Sequence, residues 1–261
     1  MPHKARKRFG QHFLHDTYVL SRIVSALPQQ LNQHLVEIGP GRGALTSLLL
    51  DRCQHLDVIE IDRDLVKILE SRYAGNEKVT IHSADALRFD YASLIPEGEK
   101  FTLVGNLPYN ISTPLLFYLF EYKPVINEMV FMLQKEVVDR LSASPGNKQY
   151  GRLSVMAQYH CRIEKLFSVS PGSFNPPPKV TSAVVRLIPY PSPPVATGDY
   201  DVFAQVVSAA FGQRRKTLRN SLKTLLSVEE IASAGIDPKA RAETLTLEEF
   251  ANLSLFLSNK T

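Results

Sequence analysis

Cysteine is scarce: two residues, Cys53 and Cys161, with no second cysteine near either. That excludes a thiolate zinc site and a CxxC redox motif, and no metal centre is expected. It also gives no sign of an oxidising compartment. Long apolar runs are missing too. The longest, around residues 115–120, is far too short to span a bilayer, so no membrane partner is expected. Met1-Pro2-His3-Lys4 has no apolar h-region, so no signal peptide is expected, and the cytoplasm is the expected location. Neither sign of charge dominates. A formal net charge of +4 is compatible with a polyanionic partner without proving one, so clustering matters more than the total.

What is present is ordinary globular composition. The chain has 261 residues, enough for one large domain or for one large plus one small domain. It shows no internal repeat. From residue 35 to residue 133, strand-like and helix-like patterns alternate. Leu35-Val36-Glu37-Ile38 is a short apolar run that stops at glycines, followed by a helical stretch over residues 44–52. Residues 56–60 read as a second strand, 65–73 as a helix, and 79–81, 101–104 and 129–133 as three more strands. Such alternation implies parallel pairing in an α/β sheet covered by helices on both faces. Residues 170–178 carry four prolines and a glycine, so they are no element interior; residues 180–187 then read as a strand. Beyond a Pro-rich stretch at 189–198 the pattern is purely helical: residues 200–211, 217–226 and 247–257. The expected domains are therefore residues 1–190, an α/β unit, and residues 191–261, a small all-α unit.

Glu37-Ile38-Gly39-Pro40-Gly41-Arg42-Gly43 sits where a strand turns into a helix. Glycines there let the backbone approach a ligand held outside the carboxyl ends of the strands. Gly39, Gly41 and Ala44 also fit the dinucleotide fingerprint, which keeps a nicotinamide oxidoreductase in play. Glu60 ends the second strand, 21 residues after Gly39, where a carboxylate accepts bonds from both ribose hydroxyls. It points to a nucleoside without choosing which. Asp85 follows the third strand; alone it reads as a helix N-cap. A glycine turn, Glu60 and Asp85 at three consecutive strand ends resemble the class I methyltransferases, with their Rossmann-like sheet.

The fourth strand ends in Asn106-Leu107-Pro108-Tyr109. The tetrapeptide is short, so its place at a strand end beside the expected methyl donor carries the weight. An exocyclic adenine amine is a poor nucleophile because its lone pair is delocalised into the ring. The Asn106 side-chain oxygen and a backbone carbonyl, that of Leu107, can accept its two N–H bonds and aim the lone pair. Pro108 stiffens the turn so that these acceptors are preorganised. Tyr109 offers a ring for the extruded base. Phe174, ahead of Asn175-Pro176-Pro177-Pro178, reads equally as a second wall of the base pocket or as a hydrophobic plug under a Pro-rich loop.

Two basic clusters remain: Lys4, Arg6, Lys7 and Arg8, and then Arg214, Arg215, Lys216, Arg219 and Lys223. On a helix, Arg215, Arg219 and Lys223 fall on one face at i, i+4 and i+8, a stripe able to follow phosphates.

The chain is similar nearly end to end to the small-subunit ribosomal RNA adenine N6-dimethyltransferases, the kasugamycin-resistance family. The similarity runs through Arg8-Phe9-Gly10-Gln11, Phe13-Leu14, Glu37 to Gly41, Val58-Ile59-Glu60, and Asn106 to Pro114. It continues through Leu133 to Val138, Tyr150 to Val155, Phe174 with Pro176 to Val180, and Gln213 to Leu222. The resemblance implies S-adenosylmethionine as donor and S-adenosylhomocysteine as product. It implies four methyl transfers, giving two adjacent N6,N6-dimethyladenosines near the 3′ end of 16S ribosomal RNA. The partner would be an immature small ribosomal subunit, with the basic helices docking on it, and the free protein a monomer. Carried over by position, the donor contacts would be His12, Leu14, Gly39, Gly41, Glu60, Asp85 and Asn106, with Asn106, Leu107, Pro108, Tyr109 and Phe174 at the reacting base. His12 departs from the asparagine common in the family. The rivals are the erythromycin-resistance type, which methylates large-subunit RNA, and a non-catalytic ribosome assembly factor.

Overall fold

The structure, a computed structural model, describes residues 11–29, 34–213 and 215–260. Strand β1 (Phe13–Leu14) and helix α1 (Thr17–Ser25) lead into β2 (His34–Ile38), α2 (Thr46–Leu49), β3 (His55–Glu60), α3 (Arg63–Arg72) and β4 (Val79–Ser83). Next come β5 (Phe101–Asn106), α4 (Ser112–Glu121), β6 (Ile126–Gln134), α5 (Lys135–Leu141), α6 (Arg152–His160), β7 (Cys161–Val169), β8 (Phe174–Asn175) and β9 (Ser182–Pro189). Helices α7 (Tyr200–Phe211), α8 (Leu218–Ser221), α9 (Val228–Ser233) and α10 (Leu247–Ser258) close the chain. None of the described helices is long and apolar enough to cross a membrane.

The described strands form a seven-stranded sheet in the order β4-β3-β2-β5-β6-β9-β7, and a small antiparallel pair, β1 with β8. Pairing is parallel from β4 across to β6, and β9 runs antiparallel to β6. The parallel strands are apolar on both faces because helices cover both. Leu35, Val36, Leu56, Val58, Leu103 and Val104 are all essentially inaccessible. The chain winds outward from β2 to β4, then returns to place β5 on the other side of β2. That reversal opens a crevice between the carboxyl ends of β2 and β5, where α/β sheets bind ligands. The expected α/β architecture stands, with a mixed sheet in place of a purely parallel one.

Two compact units are present: Met1–Val138 with Glu164–Pro189, and Asp139–Ile163 with Tyr190–Thr261. The chain passes from one to the other at Pro189, where the Pro-rich stretch begins. Residues 139–163 nevertheless belong to the second unit, which local sequence pattern does not reveal. There the ring of Tyr159 in α6 stacks 5.7 Å from Tyr200 and lies 4.8 Å from Phe203, while Phe211 meets Phe250 at 5.6 Å. Helices α9 and α10 begin with capping boxes, Ser227 with Glu230 and Thr246 with Glu249.

The helix expected over 217–226 is a correction. Leu218, Leu222 and Leu226 have helical spacing and are buried, but α8 stops after Ser221 and the Leu225 N–H closes a tighter turn on the Leu222 carbonyl. Arg215 precedes α8 and Lys223 follows it, so the three-cation helical stripe does not form, although Arg215, Arg219 and Lys223 are each exposed.

Candidate active site

A cavity of about 730 Å³ opens at the carboxyl ends of β2, β3 and β5, within the first unit. The turn after β2 forms its floor. Gly39 and Gly41 take φ of +69° and +59°, a left-handed backbone that disfavours any side chain. A Cβ on Gly41 would also stand 3.0 Å from the Phe13 ring, so that glycine lets the N-terminal segment close over the turn.

Glu60 is buried, with each carboxylate oxygen accepting one backbone N–H: Asp62 at 2.9 Å and Gly41 at 3.3 Å. A carboxylate offers about four lone-pair sites. Burial pushes its pKa up to about 7 against the pull of those amides, and the neighbouring Asp62 charge adds to the rise. Glu37, on β2, is raised further, to about 8. Burial is the main cause, opposed by a 2.6 Å hydrogen bond from Thr46 and reinforced by Glu60. Two buried carboxylates with raised pKa values, lining one cavity, suit a ligand that donates hydrogen bonds to them. A nucleoside with two ribose hydroxyls fits Glu60, and a cationic ligand suits the pair. The glycine cradle fits the backbone approach that such a ligand needs.

Asn106 ends β5 and is delivered by unusually close strand packing. A Cβ on Gly105 would sit 2.4 Å from the Ile38 carbonyl oxygen, so Gly105 lets β5 press against β2. Asn106 Nδ2 donates to the His12 carbonyl at 3.0 Å. That bond fixes which end of the carboxamide is which and leaves Oδ1 as the acceptor for a substrate amine. The Leu107 N–H is held by the Met132 carbonyl at 3.1 Å, and the Pro108 carbonyl accepts from Ile111, so the turn is rigid. The Tyr109 hydroxyl is 2.7 Å from Ser182 Oγ, which anchors a half-buried ring against β9. Burial raises its pKa despite the Ser182 contact.

His12, Leu14, Gly39, Gly41, Glu60, Asp85, Asn106, Leu107, Pro108 and Tyr109 all line this one cavity. Asp85 Oδ1 accepts from Leu87 N–H at 3.0 Å, so the carboxylate braces a turn, not the helix expected to follow, and keeps a second oxygen for a ligand. The His12 ring stacks on Tyr109 at 5.8 Å, and its Nδ1 lies 2.8 Å from the Pro176 carbonyl. Its side chain thus braces the base wall while its main chain orients Asn106. Phe174 is not among the lining residues. It is 2% exposed and packs into the core with Leu14 and Val184, where β8 pairs with β1, which is the position the plug reading expects. Gln11, Glu37 and Gly105 carried no role in the sequence reading. A lone acidic residue in an otherwise apolar strand before a glycine turn was the available signal for Glu37.

The model of ribosomal RNA adenine dimethylases matches residues 2–259. The chain belongs to that family. It is 57% identical over 252 residues to the ribosomal RNA small subunit methyltransferase A of Pseudomonas aeruginosa, covering 97% of this chain and 94% of that one. The Acinetobacter baylyi protein of the same name is 54% identical over 97% of this chain and 92% of its own. Among solved structures, a Plasmodium falciparum dimethyladenosine transferase superposes with a TM-score of 0.83 at 26% identity, covering 95% of this chain and 98% of that one. The 23S rRNA methyltransferase ErmE gives 0.73 at 26%, covering 94% and 99%. As an adenine dimethylase of ribosomal RNA, the chain is an enzyme that transfers methyl groups, and the cavity holds its expected motifs. The exposed cations Arg215, Lys216, Arg219 and Lys223 lie in the second unit. Lys4, Arg6, Lys7, Arg8 and Arg214 lie outside the described residues.

Proposed function

We propose that the protein methylates N6 of two adjacent adenosines near the 3′ end of 16S ribosomal RNA, using S-adenosylmethionine, during small-subunit biogenesis. The observation that carries this reading is one cavity in which the Asn106 carboxamide, oriented by His12, meets the glycine turn and the hydroxyl acceptor Glu60. The small-subunit assignment is supported by curated relatives at 52–57% identity that carry that name, against 26% for ErmE.

The donor supplies an electrophilic methyl group on a sulfonium. Glu60 would hold its ribose, Asp85 its adenine amine, and Gly39 and Gly41 would let the backbone lie against it. The chain's residues do the rest by placement. Asn106 Oδ1 accepts one N–H of the target amine and a backbone carbonyl at Leu107 accepts the other. Both bonds pull the nitrogen toward tetrahedral geometry and expose its lone pair. Tyr109, clamped by Ser182 and His12, supplies the stacking face. No strong base is required, since the alkylated nitrogen is acidic and loses its proton readily. Orientation of this kind lowers barriers by roughly 7–11 kcal/mol in favourable cases. The first unit would carry this chemistry, and the second, with Arg215, Lys216, Arg219 and Lys223, would grip the subunit. The enzyme would act in the cytoplasm as a monomer that meets its subunit there.

Labelled S-adenosylmethionine offered with unmethylated small subunits, large subunits and free RNAs, followed by nucleoside mass spectrometry, tests the proposal. Dimethyladenosine confined to small subunits is the expected result. Label in large-subunit RNA would move the enzyme to the erythromycin-resistance type. Subunit binding without any label would leave an assembly factor.

A further inference from the structure

At the opposite end of the same strands lies a cluster that methyl transfer does not use. His34 opens β2, His55 opens β3, and Asp57 follows two residues later, so His55 and Asp57 share a sheet face. His34 pairs with His55 in the β2–β3 register, and His82 reaches the same carboxylate from β4. Asp57 is buried, and three imidazoles surround it. His34 Nε2 makes a close contact with Oδ2, His55 Nε2 lies 3.6 Å from that oxygen, and His82 Nε2 lies 2.5 Å from Oδ1.

We propose that His34, His55 and Asp57 bind a divalent transition-metal ion of the zinc class. Two imidazoles and a carboxylate are donors that zinc takes at about 2.0–2.2 Å, with the fourth tetrahedral position left to water. Two such ligands around a tetrahedral ion stand about 3.4 Å apart. The His55–Asp57 separation is already there, and all three donor atoms lie within 4.8 Å of one another. Loading requires His34 to withdraw from its hydrogen bond, by about an ångström on the same geometry. His82 then keeps its hold on Oδ1, as an outer partner that orients a ligating carboxylate. The His55 side chain is 37% exposed and gives the ion a route from solvent. Thr80 Oγ1, 3.1 Å from His55 Nε2, exchanges that contact for the metal-bound water. The ion would pin β2 to β3, the strands that deliver Gly39 and Glu60 to the cavity. Its role is structural, and it takes no part in the transfer.

The test uses the full chain, free of affinity tag and stripped by chelator, titrated with Co2+. The expected result is one equivalent bound, with visible ligand-field bands of a four-coordinate ion that Zn2+ bleaches. His55→Gln, at a partly exposed position that folding tolerates, should abolish the bands and the rise in Tm that Zn2+ gives the parent chain. His34→Gln should do the same. His82→Gln should weaken binding roughly 10–100-fold while the bands persist at saturation. Absence of saturable bands in the parent chain would overturn the proposal. So would bands that survive in the folded His34→Gln/His55→Gln double variant, since the ion would then sit on other histidines.

Discussion

Strand β3 carries two buried carboxylates three residues apart, and they live in opposite circumstances. Asp57, toward the start of the strand, feels burial that would raise its pKa. Hydrogen bonds and charge from His34 and His82 outweigh it and hold the carboxyl down at about 2. Glu60, at the strand's end, has backbone amides as its described hydrogen-bond donors and floats up to about 7. The strand's alternation sends them to opposite faces of the sheet. Where a buried charge has protein partners, it belongs to the fold. Where it is left wanting donors beside a cavity, it awaits a ligand. The same sheet therefore has an end finished for folding, where an ion would serve the fold alone, and an unfinished one that awaits a substrate.

Substitutions at the two ends should separate accordingly. The largest effect belongs to the unfinished end. Asn106→Ala should lower kcat by at least about 100-fold, the scale of losing one preorganised transition-state group, with thermal melting unchanged. If subunit binding vanished as well, catalysis and docking would not be separable roles. Next come the two carboxylates. Asp57→Ala should destabilise the protein by about 2–3 kcal/mol in denaturant titrations, since the part-buried His34 and His82 both lose a charged hydrogen-bond partner. Glu60→Ala should leave the ligand-free protein at least as stable and weaken donor binding, read by calorimetry, by roughly two orders of magnitude. Equal melting losses in both variants would erase the distinction.

A third expectation concerns pH. Glu37 and Glu60 have folded-state pKa values raised from 4.5 to about 8 and about 7. The folded state therefore holds more protons than the unfolded one between those limits, and stability must fall as pH rises from about 5 to 8. The Glu60 shift alone corresponds to about 3 kcal/mol. Glu37→Gln should flatten the slope, and donor binding at pH 7 should release protons, measurable as buffer-dependent binding enthalpy. The smallest effect lies in the other unit. Removing Arg219 or Lys223 singly should reduce the salt slope of subunit binding by about one and leave kcat intact.

The finished end was nearly invisible in the sequence, and the reason is physical. His34, His55, Asp57 and His82 are spread over 49 positions (82 minus 34, plus one), and strand register alone brings them together. The unfinished end was legible because Gly39, Glu60, Asp85 and Asn106 each end or follow a strand, and parallel strands collect their carboxyl ends. The failures have the same origin. Phe174 was ambiguous because its direction depends on pairing with Leu14, 160 residues away. The leucine spacing over 217–226 is helical while the backbone tightens at Leu222. Residues 139–163 joined the second unit through ring contacts that no local pattern announces.

The stitch between the N-terminal segment and residues 173–176 has a consequence for the order of events at synthesis. Phe13 pairs with Asn175, the His15 N–H donates to Ser173, Asp16 accepts from the Ser173 hydroxyl, and His12 meets Pro176. The wall that orients Asn106 thus precedes β2 in the chain and is seated only against residues made after β6. A nascent chain that has already completed β2 to β6 still has an open cavity until residue 176 has emerged. Closing a loop of that length is slow relative to local pairing. Competence for the reaction is therefore withheld until most of the catalytic unit exists.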